Sequence, residues 1–429
     1  MCAILHSGVV SLFFLMHAIQ QHQLECGLRI ITESIPGVKT AALNWGVRAG
    51  VATNKHDGDS VLLAELVQRG ATGMSAKEHN DALDSLGVRK QISCGIEFFR
   101  VSSVMLGSHL TQGIPLLGAY LLDPALPEDG LGPCQSLCLQ SILSIDDNPS
   151  HKASIALNEH HFGSPFGRSS YGEVEEITSA TIERLREVHS NYFVPEDSIL
   201  AVAGDVQHEE VVDTVSELVR EWKGTKLPGV PNGDTNRGVH WIEQDSSQVH
   251  ICFAFDAPCA NEEHELSEAV AISVLGGATS GRLFTQVRQR RSLCYSVSAQ
   301  YAPSRERSVV RMHAGTTPER AKKTIEVCLE QLSLLRNGIT QEEFARTIQR
   351  MKSRTVMHGE ATTARAGALW GDQYTLGRVR SLADKLREIE GISLENVNKW
   401  LKNRDFGKIT LVYVGPEDLG LPPNILTGV

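Results

Sequence analysis

The chain has 429 residues, 41% hydrophobic and 21% charged, which is enough to bury two or more sizeable cores and ordinary for a globular protein. Acidic residues outnumber basic ones, 51 to 41, and the formal charge of −10 argues against an electrostatic nucleic-acid binder, which needs a basic excess or stripe. Nine cysteines at irregular spacing leave one over from any full pairing, a pattern that fits a reducing compartment and points to the cytoplasm.

A short apolar run over residues 8–16 comes first. It is too short to span a bilayer. No Lys or Arg precedes it, the first being Arg29, and no small-residue cleavage site follows, so neither a secretory signal nor an Arg-rich presequence is expected. Residues 1–23 read as an extension ahead of the first domain, with Met16 as an alternative start.

Strand-like alternation over 28–33 and 39–47 opens the first half. A helix over 59–70 follows, in which Val61, Leu62, Leu63, Leu66 and Val67 are expected to be buried, Asp59 or Ser60 to cap the start and Gly70 to end it. Cys134 and Cys138, four apart, share a helix face; with no second Cys/His pair at zinc-finger spacing they read as small core residues. His160 and His161 are neighbours and do not face each other on a helix. The half closes on a strand over 198–204 that stops at glycine.

A Gly/Pro/Asn-rich stretch, 223–238, reads as an exposed linker, after which the layout repeats. Alternation over 248–255 predicts a strand. His264 and Glu268 have helix-face spacing and are expected on a solvated surface. Thr317, Pro318 and Glu319 supply a capping hydroxyl, a first-turn proline and an acid for a helix whose apolar positions are Ile325, Leu329 and Leu332 and which ends at Gly338. A second helix runs from about 340 to 351, with Glu342 and Glu343 at the positive end of its dipole. A strand over 408–415 closes the half. Strands followed by helices, twice over, predict an α+β protein with domains at 24–222 and 239–420 and a tail at 421–429. No G-x-S-x-G elbow, P-loop or dinucleotide fingerprint offers an unrelated chemistry a place.

Residues 275–297 hold a Gly-rich turn at Gly276 and Gly277, an Arg282-Leu283-Phe284 helix, and a strand with Tyr295, Ser296 and Val297. This resembles the second-domain signature of the pitrilysin/insulinase group of inverzincin metallopeptidases, which includes the mitochondrial processing peptidases and two-chain bacterial relatives. The segments 161–168, 191–195 and 358–365 support the resemblance, which extends from residue 24 to about 416. It implies two homologous α/β-sandwich domains, each a mixed or antiparallel sheet covered by helices, together half of a clamshell.

In that family the helix matching 59–70 carries H-x-x-E-H, in which two histidines bind zinc and the glutamate activates water. The matching positions here are Val61, Ala64 and Glu65, and the third ligand position falls on Gln140 or Ser141. Valine has no lone pair for a metal, alanine takes no proton from water, and a single carboxylate does not make a zinc site. The resemblance thus implies a degenerate metal site and no catalytic residue in this chain. Arg288 and Tyr295 stand at the spacing of the family's substrate-handling pair, where an arginine fork binds peptide carbonyls and a tyrosine hydroxyl donates to a developing oxyanion. The same residues fit a plainer reading, in which Arg288 joins Arg282, Arg290 and Arg291 on a solvated basic face and Tyr295 fills core. Ser292 occupies a turn where relatives carry glycine, a position of positive φ that serine adopts at a cost.

The expected function is a non-catalytic, peptide-binding subunit that pairs with a zinc-bearing homologue, or with a second copy of itself, and takes peptide or unfolded protein without nucleic acid or a membrane span of its own. Zinc belongs to the partner chain. Two alternatives stand beside it: an active zinc metalloendopeptidase with ligands of another pattern, and a scaffold like the core proteins of the respiratory cytochrome bc complex.

Overall fold

The computed structural model describes residues 18–422 and 424–427; the apolar run 8–16 and Met16 lie outside the described residues. The chain forms two compact units, and neither is contiguous in sequence. The first takes the described residues up to 142 together with 168–231 and 356–383; the second takes 143–167, 232–355 and 384 onward.

In the first unit, strands β1 (Ala18–Gln23), β2 (Arg29–Ser34), β3 (Thr40–Val47), β6 (Arg89–Cys94), β7 (Phe99–Leu106) and β8 (Ile199–Gly204) form a mixed sheet in the order β1-β2-β8-β3-β7-β6. A two-stranded ladder, β4 (Gly70–Ala71) with β5 (Met74–Ser75), stands apart from it. The pair β2/β8 is parallel and the remaining pairs are antiparallel. Alternation along β3 sends Leu43 and Trp45 to one face and Ala42 to the other, and both faces are buried. On the Trp45 side lie α1 (Asp59–Leu66), α2 (Ala76–Ser85), α3 (Leu110–Leu122), α4 (Glu128–Leu143) and α7 (Ile182–Tyr192), together with α8 (His208–Leu218); the short α6 (Val174–Ser179) adds Ile177.

The second unit repeats this plan. Strands β9 (Val239–Glu243), β10 (Val249–Asp256), β11 (Ser296–Ala302), β12 (Val309–Thr316) and β13 (Thr410–Gly415) run in the order β9-β13-β10-β12-β11, matching β2-β8-β3-β7-β6 strand for strand. The single parallel pair, β13/β9, falls at the same place. One face, with Ile251, Phe253 and Phe255, packs on α9 (Glu265–Gly276), α10 (Pro318–Ser333) and α14 (Leu394–Lys402).

The other face of each sheet is covered by a helix from the opposite half of the sequence. Helix α5 (Pro149–Phe162) lays Ala153, Ala156, Leu157 and Phe162 on Cys252, Ala254, Val412 and Val414 of the second sheet. Helix α12 (Thr362–Leu376) lays Ala366, Leu369 and Trp370 on Ile31, Ala42, Ala201 and Ala203 of the first. Gly46 of β3 makes this approach feasible: a Cβ there would stand 2.7 Å from the Trp370 ring. The compact units are therefore not the two linear halves on either side of 223–238. The chain passes between units inside α4, α11 (Gln341–Gly359) and α13 (Leu382–Gly391), and also at 167/168 and 231/232.

Several local expectations are corrected. Residues 18–23 are not an appendage but the edge strand β1, paired along its length with β2. Asp59 and Ser60 do not cap α1, whose N-cap position is Gly58; Asp59 is fully buried against Arg184 at 2.8 Å, and the Ser60 hydroxyl donates to the Gly50 carbonyl. Glu268 is not solvated: Arg404 and the Trp400 indole N–H hold its buried carboxylate, and His264 stacks on Trp400. Thr317 sits at the N-cap of α10 but its hydroxyl makes no capping bond. In the tail, Leu421, Ile425 and Leu426 pack on the second core. No helix among the described residues is long and apolar enough to cross a membrane.

Candidate functional site

Helix α1 turns two different stripes outward and inward. Leu62, Leu63 and Leu66 are fully buried, while Val61, Ala64 and Glu65 form a half-buried stripe, as i, i+3 and i+4 spacing requires. The expectation that Val61 is buried with the leucines is thus corrected: it packs on the core from its edge. The start of α1 is tied down by a charged network in which Asp59 meets Arg184, Arg168 meets Asp57 at 2.6 Å, and His56 Nδ1 lies 3.0 Å from Glu176. Burial pushes the Asp59 carboxyl above its usual range, against the pull of the Arg184 guanidinium.

Facing Glu65 is the buried stripe of α4, Cys134 and Cys138. Both are core thiols, as expected. Burial, with the Glu65 carboxylate adding to it, pushes the Cys138 thiol up to about 12. Gln140 and Ser141 are exposed at the end of α4. Ser141 continues the stripe of Cys134 and Cys138 at i+7 and i+3, whereas Gln140 points away from it. The donor set at this place is one carboxylate, a hydroxyl and two thiols that burial keeps protonated. It does not fit a zinc ion, which takes three good ligands and an open position in a catalytic site. Among the described residues no group of three or more His, Cys, Asp or Glu side chains is arranged to hold a metal.

Arg288 and Tyr295 belong to the second unit. Arg288 lies on a π-helical turn, Phe284–Gln289, exposed, with its guanidinium 5.0 Å from the centroid of the Phe284 ring. Tyr295 precedes β11 and is 57% exposed, so it does not fill core. Arg282 departs from the solvated-face reading as well: it is clamped on Glu343 at 2.7 and 2.8 Å and donates to the Gly338 carbonyl. Between the two residues, Ser292 has φ +51°, the left-handed conformation inferred from its position. Its amide donates to the Arg288 carbonyl, and its own carbonyl accepts from Arg320.

The sequence reading did not single out what surrounds Arg288. A groove of about 810 Å³ runs between the end of α9, the π-helical turn, β11 and α11, and includes Arg350 and Arg354. The two arginines are one turn apart on α11, a spacing visible in the sequence, but nothing in the sequence says that this face meets β11.

Residues 179–351 match a family model described as the peptidase M16 inactive domain. An uncharacterized zinc protease of Mycobacterium tuberculosis is 28% identical over 404 residues, spanning 90% of this chain and 91% of that protein. The crystal structure of a peptidase M16 inactive domain from Pseudomonas fluorescens shares the fold with a TM-score of 0.85 at 19% identity, covering 95% of this chain and 100% of that one. A chain of complex III2 from Candida albicans shares it with a TM-score of 0.80 at 16% identity, covering 95% and 98%.

Proposed function

We propose that this chain, which is similar to peptidase M16 proteins, serves as a non-catalytic, peptide-binding subunit of a zinc metalloendopeptidase, acting with a homologue that carries the zinc. The observation that carries this reading is the donor set on α1, where the half-buried stripe offers Val61, Ala64 and Glu65 and no metal-binding pair of histidines. Arg288 and Tyr295, both exposed on the second unit, are the groups assigned to peptide contact: a guanidinium fork for carbonyls and a phenol that can donate. The eight described cysteines are all free thiols, which supports a reducing, cytoplasmic setting. The partner is a zinc-bearing M16 homologue; a homodimer would hold two sites with this same donor set.

One observation favours a second reading, an active zinc endopeptidase: relatives at 28% identity bear the name zinc protease. Two measurements decide between them. Metal analysis of the isolated chain is expected to give below ~0.1 zinc per molecule. Hydrolysis of a quenched peptide is expected to be absent with the chain alone and to rise at least about tenfold when it is added to a homologue with intact H-x-x-E-H. Stoichiometric zinc that is lost in Glu65→Ala, with turnover by the chain alone, would overturn the proposal.

A further inference from the structure

The second sheet lacks one strand that the first possesses. In the first unit β2 stands between β8 and the edge strand β1, which pairs with it antiparallel over six residues. Its counterpart in the second unit, β9, pairs with β13 alone among the described residues. The outer edge of β9 is therefore bare, and the strand contains neither proline nor lysine, the residues that commonly guard such an edge.

The bonds to β13 fix which backbone groups lie on that edge. The Leu411 amide donates to the Gly238 carbonyl and the Gln244 amide to the Gly415 carbonyl, so the even-numbered residues turn their N–H and C=O toward β13. Val239, Trp241 and Glu243 turn theirs away. An antiparallel copy of β9 centred on Trp241 brings residue 239 opposite 243 and 241 opposite itself, pairs that each exchange two hydrogen bonds. Every outward N–H and C=O of the strand is then satisfied. A shift of two residues leaves one of the three without a partner in β9.

The same register suits the side chains. Val239 and Trp241 are 37% and 38% exposed although both are apolar, and with Glu243 they share one face of the strand. The Trp241 indole is held against the sheet, donating to the Gly415 carbonyl at 3.2 Å. No like charges stand opposite each other, and just beyond the strand Arg237 comes opposite Asp245.

We propose that the outer edge of β9 binds β9 of a second copy of this chain, antiparallel and centred on Trp241, so that two five-stranded sheets join across a two-fold axis. The contact uses neither Arg288 nor Tyr295 and stands apart from the peptide-binding reading.

Light scattering by the whole chain over about 1–200 µM tests this. The mass is expected to rise from 46.9 kDa toward twice that value. Val239→Pro removes an outward N–H but leaves the bonds to β13 in place, and is expected to weaken dimerisation at least about tenfold with an unchanged far-UV spectrum. Val239→Lys sets a cation opposite Glu243 of the second copy and is expected to tighten the dimer about threefold or more, a gain that no misfolded variant gives; adding Glu243→Lys is expected to abolish it. Hydrogen exchange at 239, 241 and 243 is expected to slow as concentration rises. A monomer at every concentration, a dimer indifferent to Val239→Pro, or weaker association in Val239→Lys would each overturn the inference. The subunit reading is judged separately, by whether the chain raises the turnover of its zinc-bearing partner.

Discussion

Arg365 and Glu33 meet as a fully buried ion pair 2.7 Å apart, although 332 positions separate them in the chain. The arginine belongs to α12 and the carboxylate to β2, so this contact fastens the exchanged helix to the first sheet. Removing one partner leaves the other charged and dry. Arg365→Ala is expected to destabilise the first unit by about 3–5 kcal/mol, whereas Glu33→Leu with Arg365→Met is expected to recover most of that. Urea unfolding followed by near-UV signal from Trp45 and Trp370 reads the difference.

The half-buried stripe of Val61, Ala64 and Glu65 gives a constructive prediction. Val61→His, Ala64→Glu and Glu65→His together place two imidazoles at i and i+4 on a half-buried stripe, and they are expected to bind zinc weakly. Adding Ser141→Glu is expected to tighten binding by about tenfold or more, because that position continues the α4 face turned toward residue 65; Gln140→Glu is expected to leave it unchanged. Competition with a chromophoric chelator measures both.

Acid is expected to weaken the fold through its buried histidines. Burial lowers His189 and His313 to about 4, while in the unfolded chain each sits near 6.5. Between those values the unfolded chain binds protons that the folded chain refuses, so stability falls as pH drops from about 6.5 toward 4. The loss is on the order of 1–3 kcal/mol for each group. His189→Gln keeps a donor for the Leu121 carbonyl, which accepts from His189 Nε2 at 3.1 Å, and is expected to flatten the profile. Urea midpoints at pH 7.5, 5.5 and 4.5 test this.

Ser292→Gly is expected to stabilise the second unit by roughly 0.5–1 kcal/mol, because glycine reaches φ +51° without a Cβ penalty and both backbone bonds of the turn remain. A rise in the thermal midpoint of that unit is the readout.

The strands were legible because their burial is one-dimensional. Alternation over 39–47 and the apolar closing runs at 198–204 and 408–415 correspond to β3, β8 and β13, and the repeat between halves reappears as identical strand order. What the sequence hid was partnership. The small apolar residues of α5 and α12 mark a face to be buried but carry no address, so nothing local says that Trp370 seats on Gly46. Glu268 was misread for the same reason: Arg404, which neutralises it, lies 136 positions away. At the candidate site the residue types at 61, 64 and 65 were readable directly, whereas the groove beside Arg288 depends on α11 meeting an edge strand.

The traded helices have a consequence for how the molecule comes into being. When the ribosome has delivered the first 222 residues, one broad surface of the newly made sheet, with Ile31, Ala42 and Ala201, still lacks the segment that will cover it, and that segment is synthesised about 140 residues later. Neither lobe can mature by itself during translation. Assembly waits for nearly the entire polypeptide, and a gene cut within 223–238 delivers neither unit whole.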